Sequence, residues 1–122
     1  MTTNNPQVVT PPGVLGILWA STMAFYERFG VEPTLENTPP RLREEVEELI
    51  AALENGEPKT DAAKEAADVL VTVLGACMAG GLTLTDIVNG GLAVAAKNDA
   101  KTHTTHYIRE DGKIARREGE HE

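Results

Sequence analysis

Leu42-Arg43-Glu44-Glu45-Val46-Glu47-Glu48-Leu49-Ile50-Ala51-Ala52-Leu53 is the stretch that decides the fold. Its apolar residues Leu42, Val46, Leu49, Ile50 and Leu53 follow the i, i+4, i+7, i+8, i+11 stripe of an amphipathic helix. Glu45 borders that stripe, Glu48 lies next around the helix and Glu44 next again, all within roughly 100° of arc. Glu47 falls on the far side and is expected to face water. A second acidic pair follows in Glu65-Ala66-Ala67-Asp68. Glu45 with Glu48, and Glu65 with Asp68, are each three residues apart and share a helix face. Two such helices side by side aim four carboxylates at one small volume. Like charges so placed repel, and the cheapest compensation is a divalent cation. Hard oxygen ligands favour Mg²⁺ or Mn²⁺.

Working outward, helices are predicted on both sides of this stretch. Val14 to Phe29 carries apolar residues at mixed three and four spacing and ends at Gly30, which suits a left-handed cap. Pro33, Pro39 and Pro40 mark the next loop, and Thr38-Pro39 fits a helix start. After the turn Glu54-Asn55-Gly56-Glu57-Pro58, Thr60 or Asp61 is placed to cap a third helix from about Ala62 to Ala79. Beyond Asp68 that helix is apolar almost all round, which predicts burial on every side, as a central helix or one shared with another subunit. Gly80-Gly81 ends it. A fourth helix starts at Thr83 or Thr85 and reaches about Asn98, with Gly90-Gly91 inside it as a point of close approach or a kink. Asp111-Gly112, between the apolar pairs Tyr107-Ile108 and Ile114-Ala115, signals a hairpin. Residues 1–12 read as a flexible arm, 13–116 as the folded domain and 117–122 as a charged tail.

The chain of 122 residues fits one domain, and its 4% aromatic content leaves the core to Leu, Val, Ile and Ala. The net charge of −8 disfavours binding to a nucleic-acid polymer, whose phosphates it repels. A small phosphorylated ligand remains compatible if a metal or a few placed cations receive it. Cys77 is the single cysteine, which excludes an intrachain disulfide and a Cys zinc cluster. No signal-peptide pattern opens the sequence. The longest apolar run, Val69 to Leu84, is too short and too interrupted by glycine for a membrane span. A cytoplasmic, non-membrane setting is the expectation.

Alone, the first Glu run is an ordinary solvated helix face. The second pair shifts the balance, because Glu65 and Asp68 sit among alanines at the start of an apolar helix, where burying uncompensated carboxylates is expensive. The residues by themselves leave a metal site and a charged surface both open. A di-iron bundle requires Glu-x-x-His pairs. His103, His106 and His121 all lie near the C-terminus, and none is three residues from a key Glu. His103 and His106 without a third ligand are weak evidence for zinc.

Glu-Glu-x-x-Glu over 44–48, a short loop, then Glu-x-x-Asp over 65–68 resembles the MazG-like all-α NTP pyrophosphohydrolase superfamily. Asn98-Asp99-Ala100-Lys101 resembles its Asn-x-x-Lys segment, and Phe29-Gly30 and Asp111-Gly112-Lys113 resemble its small, often phage-encoded branch. The likeness spans about Trp19 to Arg116. It implies an all-α fold, a four-helix bundle with a short C-terminal hairpin or tail, assembled as a homodimer or homotetramer. It implies that Glu45, Glu48, Glu65 and Asp68 hold Mg²⁺ (or Mn²⁺) and that Glu44 serves a second ion or the attacking water. Asn98, Lys101 and, with less support, Lys97 would contact the substrate phosphates. The implied reaction converts a nucleoside triphosphate to the monophosphate and pyrophosphate. The alternatives are phosphoribosyl-ATP pyrophosphohydrolase chemistry and a non-catalytic helical interaction protein. In this family the first helix commonly reads the base, and here it offers Trp19, Ser21, Thr22, Phe25, Tyr26 and Arg28. Trp19 and Tyr26 are the candidates for stacking, against the commoner role of aromatics as core.

Overall fold

The structure, a computed structural model of the chain, describes residues 13–118. The proposed arm 1–12, and His121 with most of the charged tail, lie outside those residues. Four helices follow one another: α1 (Val14–Phe29), α2 (Thr38–Glu54), α3 (Lys59–Ala79) and α4 (Leu84–Asp99). A two-stranded antiparallel ribbon follows, β1 (His106–Ile108) with β2 (Ile114–Arg116). The fold is all-α, as expected from the four periodic segments. No single helix among the described residues is long and apolar enough to cross a membrane. The chain divides between Asp86 and Ile87 into two compact units.

In the first unit, α2 and α1 both pack on α3. Gly30 closes α1 with φ 64°, the left-handed cap that glycine adopts without a Cβ clash. α2 begins at Thr38, so the cap falls one residue earlier than predicted, on Asn37. The reason is a reciprocal pair: Thr34 N–H donates to Asn37 Oδ1, and Asn37 N–H donates to Thr34 Oγ1. That pair organises the turn, and the Thr38 hydroxyl instead donates back to the Thr34 carbonyl at 2.6 Å. Residues 55–58 link α2 to α3. α3 starts at Lys59, three residues before the predicted start, because Pro58 provides the N-cap and its carbonyl accepts from Ala62 N–H at 3.0 Å. This helical hairpin sets the middle of α2 beside the first turns of α3.

Ala52 and Leu74 are the buried apolar side chains of this unit. Burial of α3 on every side is not met within one chain: Leu74 and Gly75 are buried, whereas Leu70 is 52% exposed. At Gly75 an added Cβ would lie 2.7 Å from the Tyr26 hydroxyl, so the missing side chain is what lets α1 seat its tyrosine on α3. Gly75→Ala gains about 1 kcal/mol of helix propensity and incurs about 1–3 kcal/mol of overpacking. The overpacking falls at the low end, because the atom in the way is the tip of a side chain. The expected result is a change in unfolding free energy within about 1 kcal/mol by urea titration, with Tyr26 displaced.

The second unit holds the greater part of α4 and the ribbon. Thr83, just before α4, exchanges hydrogen bonds with Asp86: Thr83 N–H to Asp86 Oδ2 at 2.9 Å, and Asp86 N–H to Thr83 Oγ1 at 3.1 Å. This is a capping box, and it selects Thr83 over Thr85 as the start signal. Helix α4 runs unbroken through Gly90-Gly91, and nothing in its own unit lies within 4 Å of a Cβ built at either. Within that unit the expected close approach is not made. The hairpin signal is met, with a three-residue loop in place of two. Arg109 N–H donates to the Lys113 carbonyl at 2.7 Å, Gly112 N–H donates to the Arg109 carbonyl at 2.8 Å, and Gly112 takes φ 90°.

Asp111 braces that loop. Its Oδ1 accepts from Lys113 N–H and its Oδ2 from Arg109 Nη2, which hold its carboxyl below the usual range, Lys113 foremost. A carboxylate depressed in the folded state stabilises above its unfolded pKa, and that stability is lost as pH falls through the folded value. His106 is held below its ordinary value by burial first, then by Arg116 and Lys101. A depressed histidine likewise stabilises above its unfolded pKa, and its contribution falls away below it. Acidification therefore loosens the ribbon in two stages, through His106 and then Asp111. Amide exchange at Lys113 followed by NMR is expected to accelerate in the second stage, and Asp111→Asn to remove that stage.

Candidate metal and nucleotide site

Three of the four predicted carboxylates converge. One oxygen each from Glu45, Glu65 and Asp68 lies within 4.8 Å of the other two. They are graded in depth: Glu45 is buried, Glu65 half-buried and Asp68 exposed. Oε1 of Glu45 and Oε1 of Glu65 are both buried without a hydrogen-bond partner. Two orphaned carboxylate oxygens in one cluster are unusual, since a buried acceptor left unpaired costs about 1–3 kcal/mol. A divalent cation satisfies both, and the donor set is all hard oxygen.

Glu48 stands at the exposed rim of the same cluster. Its carboxyl is pushed above the ordinary range, chiefly by the negative charge of Glu45, then by lost hydration and by Glu65 and Glu44. The i, i+3 geometry thus brings Glu48 into the field of the cluster. Glu44 is exposed, with Oε1 at 4.0 Å from Arg41 Nε. Glu47 is exposed, as its place on the helix predicted.

A cleft of about 640 Å³ opens beside the carboxylates, within the range of small-molecule sites. α1 contributes Tyr26, Thr22 and Arg28, α2 contributes Arg41 and Glu45, and α3 contributes Asp68, among others. Tyr26 therefore faces the cleft, whereas Trp19 is half-buried and outside its lining. Arg41 was not among the predicted site residues. Its signal was present in the sequence as an Arg41–Glu45 i, i+4 pair, which is easily taken for surface decoration. Thr38 and Thr72 were missed as well, and no residue pattern distinguishes them from other helical threonines. The Thr22 and Thr72 hydroxyls donate to the carbonyls of Leu18 and Asp68, one turn back.

Asn98 and Lys101 belong to the second unit. Within it they line a cavity of about 590 Å³ together with His103, His106, Tyr107 and Ile114. Lys97 is in the last turn of α4 and is not part of that lining. The Thr105 hydroxyl and His106 Nδ1 are 2.7 Å apart, and Arg117 Nε donates to the His103 carbonyl at 2.7 Å.

Two consecutive helices thus pool carboxylates beside an open cleft, an all-oxygen donor set suited to a hard divalent cation. Residues 35–90, from just before α2 into α4, match the family model for phosphoribosyl-ATP pyrophosphohydrolase. Over those residues the chain is similar to that family, which lies in the MazG-like all-α NTP pyrophosphohydrolase superfamily, enzymes that hydrolyse phosphoric anhydrides. The family acts on nucleotides and depends on divalent metal. Neither the curated proteins nor the solved structures compared with the chain gave a match.

Proposed function

We propose that this protein is a Mg²⁺-dependent nucleoside triphosphate pyrophosphohydrolase, releasing pyrophosphate and a (d)NMP in nucleotide-pool control. The observation that carries the reading is the pair of orphaned buried oxygens on Glu45 and Glu65, clustered with Asp68, where Glu45 and Asp68 line the cleft. Glu45, Glu65 and Asp68, with Glu48 at the rim, would hold the ion, and Mn²⁺ has the same ligand preferences. When bound, such an ion neutralises phosphate charge and acidifies an attacking water. Glu44, exposed on the same helix, would accept a hydrogen bond from the attacking water and orient it. Water oxygen adds at phosphorus, the α–β bridging oxygen leaves with pyrophosphate, and the released proton passes to a carboxylate or solvent. Tyr26 offers a ring in the cleft for the base, and Trp19 is the weaker candidate. Asn98 and Lys101, with Lys97 beside them in sequence, are proposed to hold substrate phosphates.

A second reading is phosphoribosyl-ATP as substrate, favoured by the description of the matching family. The same carboxylates serve both. Pyrophosphate release from a panel of ribo- and deoxynucleoside triphosphates and phosphoribosyl-ATP, with and without Mg²⁺, separates them. Turnover confined to phosphoribosyl-ATP would overturn the first reading, and failure with every compound by folded protein would overturn both.

The working form is proposed to be a homodimer or homotetramer. Ile17, Phe25 and Phe29 of α1, Leu53 of α2 and Leu70 of α3 are all at least half exposed, whereas Ala52 and Leu74 are the buried apolar residues. A soluble chain seldom leaves so much large apolar surface uncovered. Light scattering after gel filtration would give a mass of two or four chains. A monomer at micromolar concentration would refute it.

A further inference from the structure

Arg41 lies one turn before Glu45 on α2 and lines the cleft. Its Nε donates to Glu45 Oε2 at 3.1 Å and stands 4.0 Å from Glu44 Oε1. Glu45 is the buried member of the carboxylate cluster, with 11% of its side chain exposed, whereas Arg41 is 65% exposed. The deepest negative charge of the site is thus paired with a cation that reaches in from open solvent. The other oxygen of Glu45 has no partner. A guanidinium is always charged and carries five N–H donors, of which the structure engages the one on Nε. The outer nitrogens are uncommitted, on a side chain at the wall of a cleft.

We propose that Arg41 is the built-in counter-ion of the metal-free site and is exchanged for the divalent ion when the site loads. The exchange rests on the metal-dependent reading given above. A dication among Glu45, Glu65 and Asp68 takes over the neutralisation of Glu45 and repels the guanidinium beside it. The freed fork then turns into the cleft, where it matches two phosphate oxygens at once. Glu45 thereby keeps a counter-charge in both states, and a phosphate-binding cation becomes available only when the ion is present. No bond is made or broken in the exchange.

The sign of one measurement decides between this role and a merely supporting one. A residue that only orients a ligand carboxylate strengthens metal binding, so its loss weakens it. A competitor does the reverse. With full-length protein and no nucleotide, Mn²⁺ binding is measured by electron paramagnetic resonance, and Mg²⁺ binding by calorimetry. Arg41→Gln is expected to bind both ions about fivefold or more tightly than wild type. Metal-free Arg41→Gln is expected to melt below wild type, and saturating Mg²⁺ to close the gap. The KM for nucleotide should rise about tenfold with a smaller change in kcat. Arg41→Lys keeps the charge without the fork, so ion affinity should stay near wild type while KM rises. This second variant also serves if Arg41→Gln fails to fold.

Unchanged or weaker ion binding by Arg41→Gln, with the wild type binding normally, overturns the exchange and leaves the metal site standing. An unchanged KM in Arg41→Lys overturns the phosphate role. Absence of ion binding by the wild type overturns the metal reading and the exchange together.

Discussion

Glu65→Gln is expected to lower kcat by about a hundred- to a thousandfold while making the metal-free protein more stable. The two effects share a cause. Glu65 Oε1 is buried without a partner and lies in the same cluster as Glu45 and Asp68. The carboxamide removes one of the mutually repelling charges and supplies an N–H donor for a neighbouring carboxylate. Relief of one unpaired buried acceptor contributes about 1 kcal/mol or more, which raises the melting temperature by several degrees in a chain of this size. The same change deletes a charged oxygen ligand, so the stabilisation by Mg²⁺ expected of the wild type should disappear. Activity loss with a lower melting temperature would show Glu65 to be structural. Retained activity would show that the ion is held elsewhere.

Leu74→Ala carries the largest expected effect on folding. Leu74 is 2% exposed and is the largest fully buried side chain among the described residues. Removing its three carbons from a closed site costs about 2–5 kcal/mol. The whole stability of a domain is about 5–15 kcal/mol, and Ala52 is the other buried apolar residue. The urea midpoint should fall accordingly, and partial unfolding at 37 °C is expected. Leu70, one turn earlier and half exposed in the chain, is the control. In an isolated chain Leu70→Ala should stay well under the cost of Leu74→Ala. In a homo-oligomer that covers α3, its cost approaches that of Leu74→Ala and depends on protein concentration. A loss below about 1 kcal/mol for Leu74→Ala would place the core elsewhere.

The acidic face was legible because helical periodicity is a strong constraint: Glu45 had to border the apolar stripe, and it is the carboxylate that is buried. Glu65 and Asp68 joined it because residues three apart share a face. The bounds of α1 were legible through Gly30, and those of α4 nearly so through Thr83. The starts of α2 and α3 moved by one and three residues, since Thr34–Asn37 reciprocity and the Pro58 cap are choices among competing polar residues. Arg41 escaped notice because an exposed Arg–Glu pair on a helix is common, and the burial of its partner is visible only in three dimensions. The exposure of Leu70 was equally hidden. An all-apolar helix states that it will be covered, and leaves open whether its own chain or another does the covering.

Tyr26 and Gly75 form a tooth and a notch between α1 and α3. A Cβ at Gly75 would meet the hydroxyl at 2.7 Å but the ring carbons Cε2 and Cζ at an ordinary 3.5 Å. The conflict therefore belongs to one oxygen atom. Tyr26→Phe should make Gly75→Ala harmless, so the two positions will change as a pair in any library selected for function. A substitution at residue 26 meant to retune base preference also decides what residue 75 is free to become.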